Sequence, residues 1–96
     1  GFVNPDVTSS DEWEGLSVYP NPVKDDLLNI NFTTQKEVDV VIRLFDALGQ
    51  EVHRQVLDQV SGNFNTTIAT QHLSAGVYYL ELTDGESSKV HKVLVN

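Results

Sequence analysis

The sequence predicts an all-β domain, a seven-stranded antiparallel β-sandwich, and three observations lead to this prediction. Apolar and polar residues alternate with a period of two from Leu16 onward, as in strands with one buried face. Turn residues separate these runs at the spacing of short sandwich strands. No window combines a helical period with a convincing cap. The predicted strands lie near 16–19, 26–33, 37–46, 50–58, 63–69, 76–84 and 87–95.

The same alternation predicts the hydrophobic core, because residues two apart on a strand share a face. Leu28, Ile30 and Phe32, for example, alternate with Asn29 and Asn31. The predicted core consists of Leu28, Ile30, Phe32, Val40, Ile42, Leu44, Phe64, Ile68, Tyr78, Leu80 and Leu82.

Residues 1–15 differ from the rest of the chain, since they are polar and acidic and have no sustained period. This composition is typical of a linker, so we place a boundary between an acidic linker, 1–15, and a domain, 16–96. Trp13 either packs on the base of the domain or is an exposed linker residue, and the sequence leaves both alternatives open.

The segment Tyr19-Pro-Asn-Pro22 is predicted to be stiff and extended, because residues that precede proline avoid the helical region. We expect it to end the first strand. The two prolines have no N–H to donate, and only an edge or crossing segment tolerates that loss.

Three further segments are predicted to be turns between strands. Asp46-Ala-Leu-Gly49 suits a type I turn followed by a left-handed glycine. Ser61-Gly62-Asn63 is a looser turn, and Thr83-Asp-Gly-Glu86 is predicted to be a two-residue Asp-Gly hairpin.

Leu73-Ser-Ala-Gly-Val-Tyr78 has the pattern of a tyrosine corner, in which a core tyrosine donates its hydroxyl to a backbone carbonyl a few residues upstream. Here the hydroxyl of Tyr78 would reach the backbone near Leu73. The alternative is that Tyr78 is an ordinary core residue with a solvated hydroxyl.

Composition excludes several classes of protein. The chain has 96 residues, enough for one domain, and a net charge of −8 that does not suit binding to nucleic acid or to anionic membranes. No run approaches the ~20 apolar residues of a membrane span, so no direct membrane insertion is expected. The chain has no methionine, and we therefore expect it to be the end of a longer protein.

The residue types that catalysis and metal binding require are scarce or scattered. There is no cysteine, and His53, His72 and His91 lie in different predicted elements, with His53 and His91 expected to be exposed strand residues. Asp25-Asp26 is either a solvated acidic turn, the commoner case, or a weak calcium site. The sequence thus predicts no enzyme, no catalytic residue and no cofactor.

Four motifs occur in order up to the last residue, and together they resemble the type A C-terminal sorting domain of cargo of the type IX (Por) secretion system of Gram-negative bacteria. They are Leu16-Ser-Val-Tyr-Pro-Asn-Pro22, Phe45-Asp-Ala-Leu-Gly49, Leu73-Ser-Ala-Gly-Val-Tyr-Tyr-Leu-Glu-Leu-Thr-Asp-Gly85 and Lys92-Val-Leu-Val-Asn96. The resemblance covers residues 16–96. It implies an immunoglobulin-like, Greek-key sandwich.

The resemblance also implies a function. The machinery would carry the parent protein from the periplasm across the outer membrane to the cell surface or the medium. A sortase-like protease would then cut within residues 1–15, releasing the cargo or joining it to an anionic lipopolysaccharide. The domain is a substrate in that scheme, and we expect it to be monomeric.

Ten positions match the family pattern: Pro20, Asn21, Pro22, Gly49, Leu73, Gly76, Tyr78, Leu80, Gly85 and Lys92. Recognition in the family is concentrated in the last strands, which here are 76–84 and 87–95. The last strand has only Lys89 and Lys92 as cations, with His91 between them, whereas family members often have several.

Two other functions remain open at this stage. The first is a fibronectin-like or carbohydrate-binding accessory module, with Trp13, Phe45 and Tyr79 as candidates for stacking on sugars. The second is a structural spacer. A sorting domain must lie at the extreme C-terminus of its parent, whereas a spacer or a binding module functions at any position.

Overall fold

The computed structural model describes residues 14–96, which are all-β, with five strands and no helix in that range. The strands are β1 (Glu14–Lys24), β2 (Leu27–Asp46), β3 (Glu51–Ala69), β4 (Gly76–Thr83) and β5 (Ser88–Val95). They form a sheet in the order β1-β5-β4-β2-β3, and β1 also pairs with β2. The predicted all-β class is confirmed, whereas the predicted number of seven strands is wrong.

Two long strands explain the lower number. β2 contains the predicted strands 26–33 and 37–46, and β3 contains 50–58 and 63–69. The β2–β3 pairing is irregular between Thr34 and Val40, and on β3 Gln59 and Gly62 have φ of 54° and 73°. Each strand therefore bends where the alternation is interrupted and then continues. The turn predicted at Ser61-Gly62-Asn63 is wrong, since Gly62 pairs with Thr34 inside the ladder.

The bends bring two halves of the sheet over one core. Residues 27–34 of β2 pair with β1 and the end of β3, whereas residues 41–46 pair with β4 and the start of β3. Ten of the eleven predicted core residues are buried in one cluster; the eleventh, Phe64, is half-buried with its ring centre 5.6 Å from that of Phe32. The predicted core is confirmed.

β1 does not end at the prolines, contrary to the prediction. It pairs with β2 as far as Tyr19 and passes through the proline segment with an irregular register. It then pairs with β5 at Val23 and Val95 and with β2 again at Lys24 and Leu27. The pairing with β5 is parallel, so the sheet is not wholly antiparallel. The segment crosses from one neighbour to another, as a stretch without N–H donors can.

Most of the linker predicted at 1–15, including Trp13, lies outside the described residues. Only Glu14 and Gly15 of that range are described, and both belong to β1.

The turn between β2 and β3 matches the prediction. Gly49 has a φ of 87°, and its N–H donates to the carbonyl of Asp46 at 3.0 Å. The Asp46 carboxylate accepts the N–H groups of Leu48 and Gln50, each at 2.9 Å.

The turn between β4 and β5 is a hairpin, as predicted, but is longer than two residues. Thr83 pairs with Ser88, so four residues, 84–87, form the loop. The carboxylate of Asp84 accepts the N–H groups of Glu86 and Ser87, at 2.9 and 2.8 Å. These side-chain bonds stabilise a wider loop than the Asp-Gly pair alone requires.

The β1–β2 connection consists of Asp25 and Asp26, both exposed, between the paired residues Lys24 and Leu27. Their φ values are 59° and 60°, as at the two central positions of a type I′ turn. Because such a turn favours Asn-Gly, two aspartates are a costly choice here.

We predict that Asp25→Asn combined with Asp26→Gly raises the free energy of unfolding by about 0.5–1 kcal/mol. Chemical denaturation measures the change. The control is Asp58→Asn with Glu86→Gln, which removes the same two charges elsewhere. An equal gain in the control would show that charge, and not turn conformation, is the cause.

Candidate functional site

An exposed patch lies on the outer face of β4, β5 and the adjoining part of β2, and it includes residues of the last two strands, where the family resemblance implies recognition. Tyr79 of β4 lies between Phe45 of β2 and Lys92 of β5, and Val77 pairs with Leu94 in the next row. Tyr79 is 40% exposed and Leu94 39%. We call Phe45, Val77, Tyr79, Lys92 and Leu94 the outer patch. Lys92 is its one cation, and the other four side chains are aromatic or aliphatic.

Arg43 fixes one side of the outer patch. Its guanidinium lies 2.6 Å from the carboxylate of Glu81, and its central carbon lies 5.5 Å from the centre of the Phe45 ring. The ion pair and the cation–π contact hold the arginine and the ring in one arrangement. The patch is thus a preformed surface that combines apolar area with positive charge on an acidic chain of net charge −8.

The first motif reaches the last strand through one side chain. The Asn21 Nδ2 donates to the carbonyl of Lys92 at 3.0 Å, and the N–H of Leu94 donates to the Asn21 Oδ1 at 3.0 Å. A second amide, of Asn29 on β2, donates to the carbonyl of Tyr19 at 3.2 Å and holds the other end of the proline segment.

The tyrosine corner is present. The hydroxyl of Tyr78 donates to the carbonyl of Ser74 at 2.6 Å, four residues upstream, and the ring is buried. Leu73 packs against the core, and its N–H donates to the carbonyl of Thr70 at 2.9 Å. The corner therefore fixes the start of β4, the strand that carries Tyr79.

The ten motif positions do not form one site. Asn21, which lies between Pro20 and Pro22, bonds to Lys92, whereas Gly49 and Gly85 lie in separate turns, both with positive φ. Leu80 and Tyr78 are buried, so a partner cannot touch them on the folded domain. Most of the motif maintains the fold, and Lys92 is the motif position that belongs to the outer patch.

The sequence does not reveal that Asn21 contacts the last strand, because the partners lie 71 and 73 residues away. The amide between two prolines is the only hint. Two of the aromatic candidates, Phe45 and Tyr79, lie opposite each other, while Trp13 is outside the described residues.

The histidines and acids show no shared site in the described part of the chain. His53 and His91 are half-buried, not exposed as predicted. Within residues 14–96, no group of three or more His, Asp or Glu side chains could hold a metal ion. That same range contains no helix of the length and hydrophobicity that crossing a membrane demands.

The comparison with protein families identifies the domain. A family model described as a secretion system C-terminal sorting domain matches residues 17–96, so the chain belongs to this family. No curated protein matches the chain. The domain is therefore a C-terminal sorting signal for type IX secretion, which directs export to the cell surface or the extracellular space. The family of sorting domains is not catalytic.

We predict that Tyr78→Phe lowers the free energy of unfolding by about 1 kcal/mol, the usual net value of one hydrogen bond. The matched control is Tyr79→Phe, which removes an exposed hydroxyl from the next residue and should change stability by less than about 0.5 kcal/mol. Chemical denaturation of both variants compares them. Equal midpoints for Tyr78→Phe and the unchanged chain would contradict a stabilising corner.

Proposed function

We propose that the type IX machinery recognises this domain, as a folded monomer, through the outer patch. The observation that supports the proposal is the exposure of Tyr79, Leu94 and Lys92 side by side on the last two strands. Tyrosine is enriched among the residues that contribute most to binding at protein interfaces, and a flanking charge adds specificity through electrostatic complementarity. The partner surface that fits has an apolar centre and carboxylates near Lys92.

We also propose the route that the family resemblance implies. The parent protein reaches the periplasm, crosses the outer membrane, and loses the domain by cleavage within residues 1–15 by a sortase-like protease. The domain itself contacts neither nucleic acid nor the interior of the membrane. In this view, the two halves of the bent sheet correspond to the two sheets of an immunoglobulin-like sandwich.

We predict that Tyr79→Ser combined with Lys92→Glu reduces surface delivery of a reporter fused ahead of the chain by roughly tenfold or more, as expected for loss of an interface anchor. The control is Val56→Ser, which removes an exposed apolar side chain, 57% accessible, from β3. Cell fractionation and surface labelling measure delivery. Unchanged delivery of the double variant would rule out the outer patch and favour another surface.

We predict different effects at the two ends of the chain. Deleting Lys92–Asn96 should leave the reporter in the periplasm, because it removes Lys92 and Leu94 and the buried Val93 and Val95. Substitutions within residues 1–15 should permit crossing and change only processing. Fractionation of cells with each fusion tests both. Normal surface delivery of the truncated reporter would show that the chain acts as a binding module or spacer.

A further inference from the structure

Asn21 forms a bridge that main-chain groups normally form. The amide of its side chain donates to one carbonyl of β5 and accepts the N–H two residues later, at 3.0 Å each. This is the pair of bonds that one residue of a parallel strand makes with its neighbour. Only the side chains of Asn and Gln carry the donor and the acceptor of a peptide group together.

The register of the neighbouring pair shows which main-chain group the amide replaces. Val23 of β1 pairs in parallel with Val95 of β5. Two residues earlier on each strand are Asn21 and Val93, and the bonds of the Asn21 side chain go to the residues on either side of Val93. The side chain therefore extends the parallel ladder by one step, while the main chain is displaced between Tyr19 and Lys24.

We infer that Asn21 is a positioning residue for recognition, which makes the display of the outer patch depend on the proline segment. The inference rests on the proposal that export reads this patch. The two residues whose main chain Asn21 holds, Lys92 and Leu94, are the residues that β5 contributes to the patch. Without this amide, the end of β5 is held by its pairing with β4 and by the single pair between Val23 and Val95.

The arrangement gives the first motif a defined part in sorting. Tyr19, Asn21 and Pro22 are exposed, but the part assigned here to the proline segment is to hold β5, and the partner contacts the outer patch. Main-chain pairing with β2 as far as Tyr19 anchors the segment at one end, and the Asn21 amide joins it to β5 at the other. The last strand of the signal is then presented in its final position only when the beginning of the domain has folded.

The test compares Asn21→Ala with Asn29→Ala, which removes a side-chain bond from the same segment but leaves β5 untouched. Hydrogen exchange of the 96-residue chain and surface delivery of the reporter fusion are the two measurements. For Asn21→Ala we expect the Leu94 amide to exchange at least tenfold faster and delivery to fall at least fivefold. Asn29→Ala should leave both close to their original values.

Both variants are also made with Asp25→Asn and Asp26→Gly, so that loss of global stability is offset and the domain stays folded. Delivery of Asn21→Ala equal to that of the unchanged chain would overturn the inference, as would an unchanged exchange rate at Leu94. An equal fall for both variants at equal stability would also overturn it, because the role would then be general stability.

The Tyr79→Ser, Lys92→Glu variant separates this inference from the proposed function. If that variant is delivered normally, the outer patch is not the recognition surface and the proposed function fails first. If it blocks delivery while Asn21→Ala does not, the inference alone fails. Loss of delivery in both, with Asn29→Ala and Val56→Ser normal, supports both.

Discussion

The bend shared by β2 and β3 is the constraint on which the rest of the structure depends. A flat hairpin of 20 and 19 residues would expose one apolar face along its whole length. Because both strands bend near Thr34 and Gly62, the inward side chains of the two halves face each other. One hydrophobic cluster then forms from Leu28, Ile30 and Phe32 on one half and from Ile42 and Leu44 on the other.

The bend also determines where the other strands pair. β1 adds to the first half of β2, β4 adds to the second half, and β5 adds to β4. The end of β1 thereby reaches the end of β5, where the parallel pair and the Asn21 amide close the gap. Edge strands expose unpaired main-chain groups that attract other chains, and this closure covers the C-terminal part of one edge.

The sequence predicts the class, the core and the corner because all three depend on local information. Alternation identifies the inward residues whether or not two segments belong to one continuous strand, so the core is right although the number of strands is wrong. The pattern does not show that β2 continues from Thr34 to Val40 with a bend. A bend within one strand and a turn between two strands interrupt the alternation in the same way. The contact of Asn21 with β5 depends on closure of the whole chain, which no local pattern contains. The register, and not any local pattern, places Phe45 of β2 beside Tyr79 and Arg43 beside Glu81.

In the last strand, buried and exposed side chains alternate, so the residues that build the core differ from those that a partner could contact. Its odd residues, Val93 and Val95, point inward and are 0% and 8% exposed, so each contributes roughly 1–2 kcal/mol of apolar burial. Its even residues, Lys92 and Leu94, point outward into the patch, and their main chain is also what the Asn21 amide holds. A partner that contacts only the even side chains can therefore distinguish folded from unfolded domains without touching the core, because an unfolded strand does not keep Lys92 beside Tyr79. Under the proposed function such a sorting signal needs no pocket, since the partner would read the arrangement of a few side chains on a surface that exists only when the whole domain is closed.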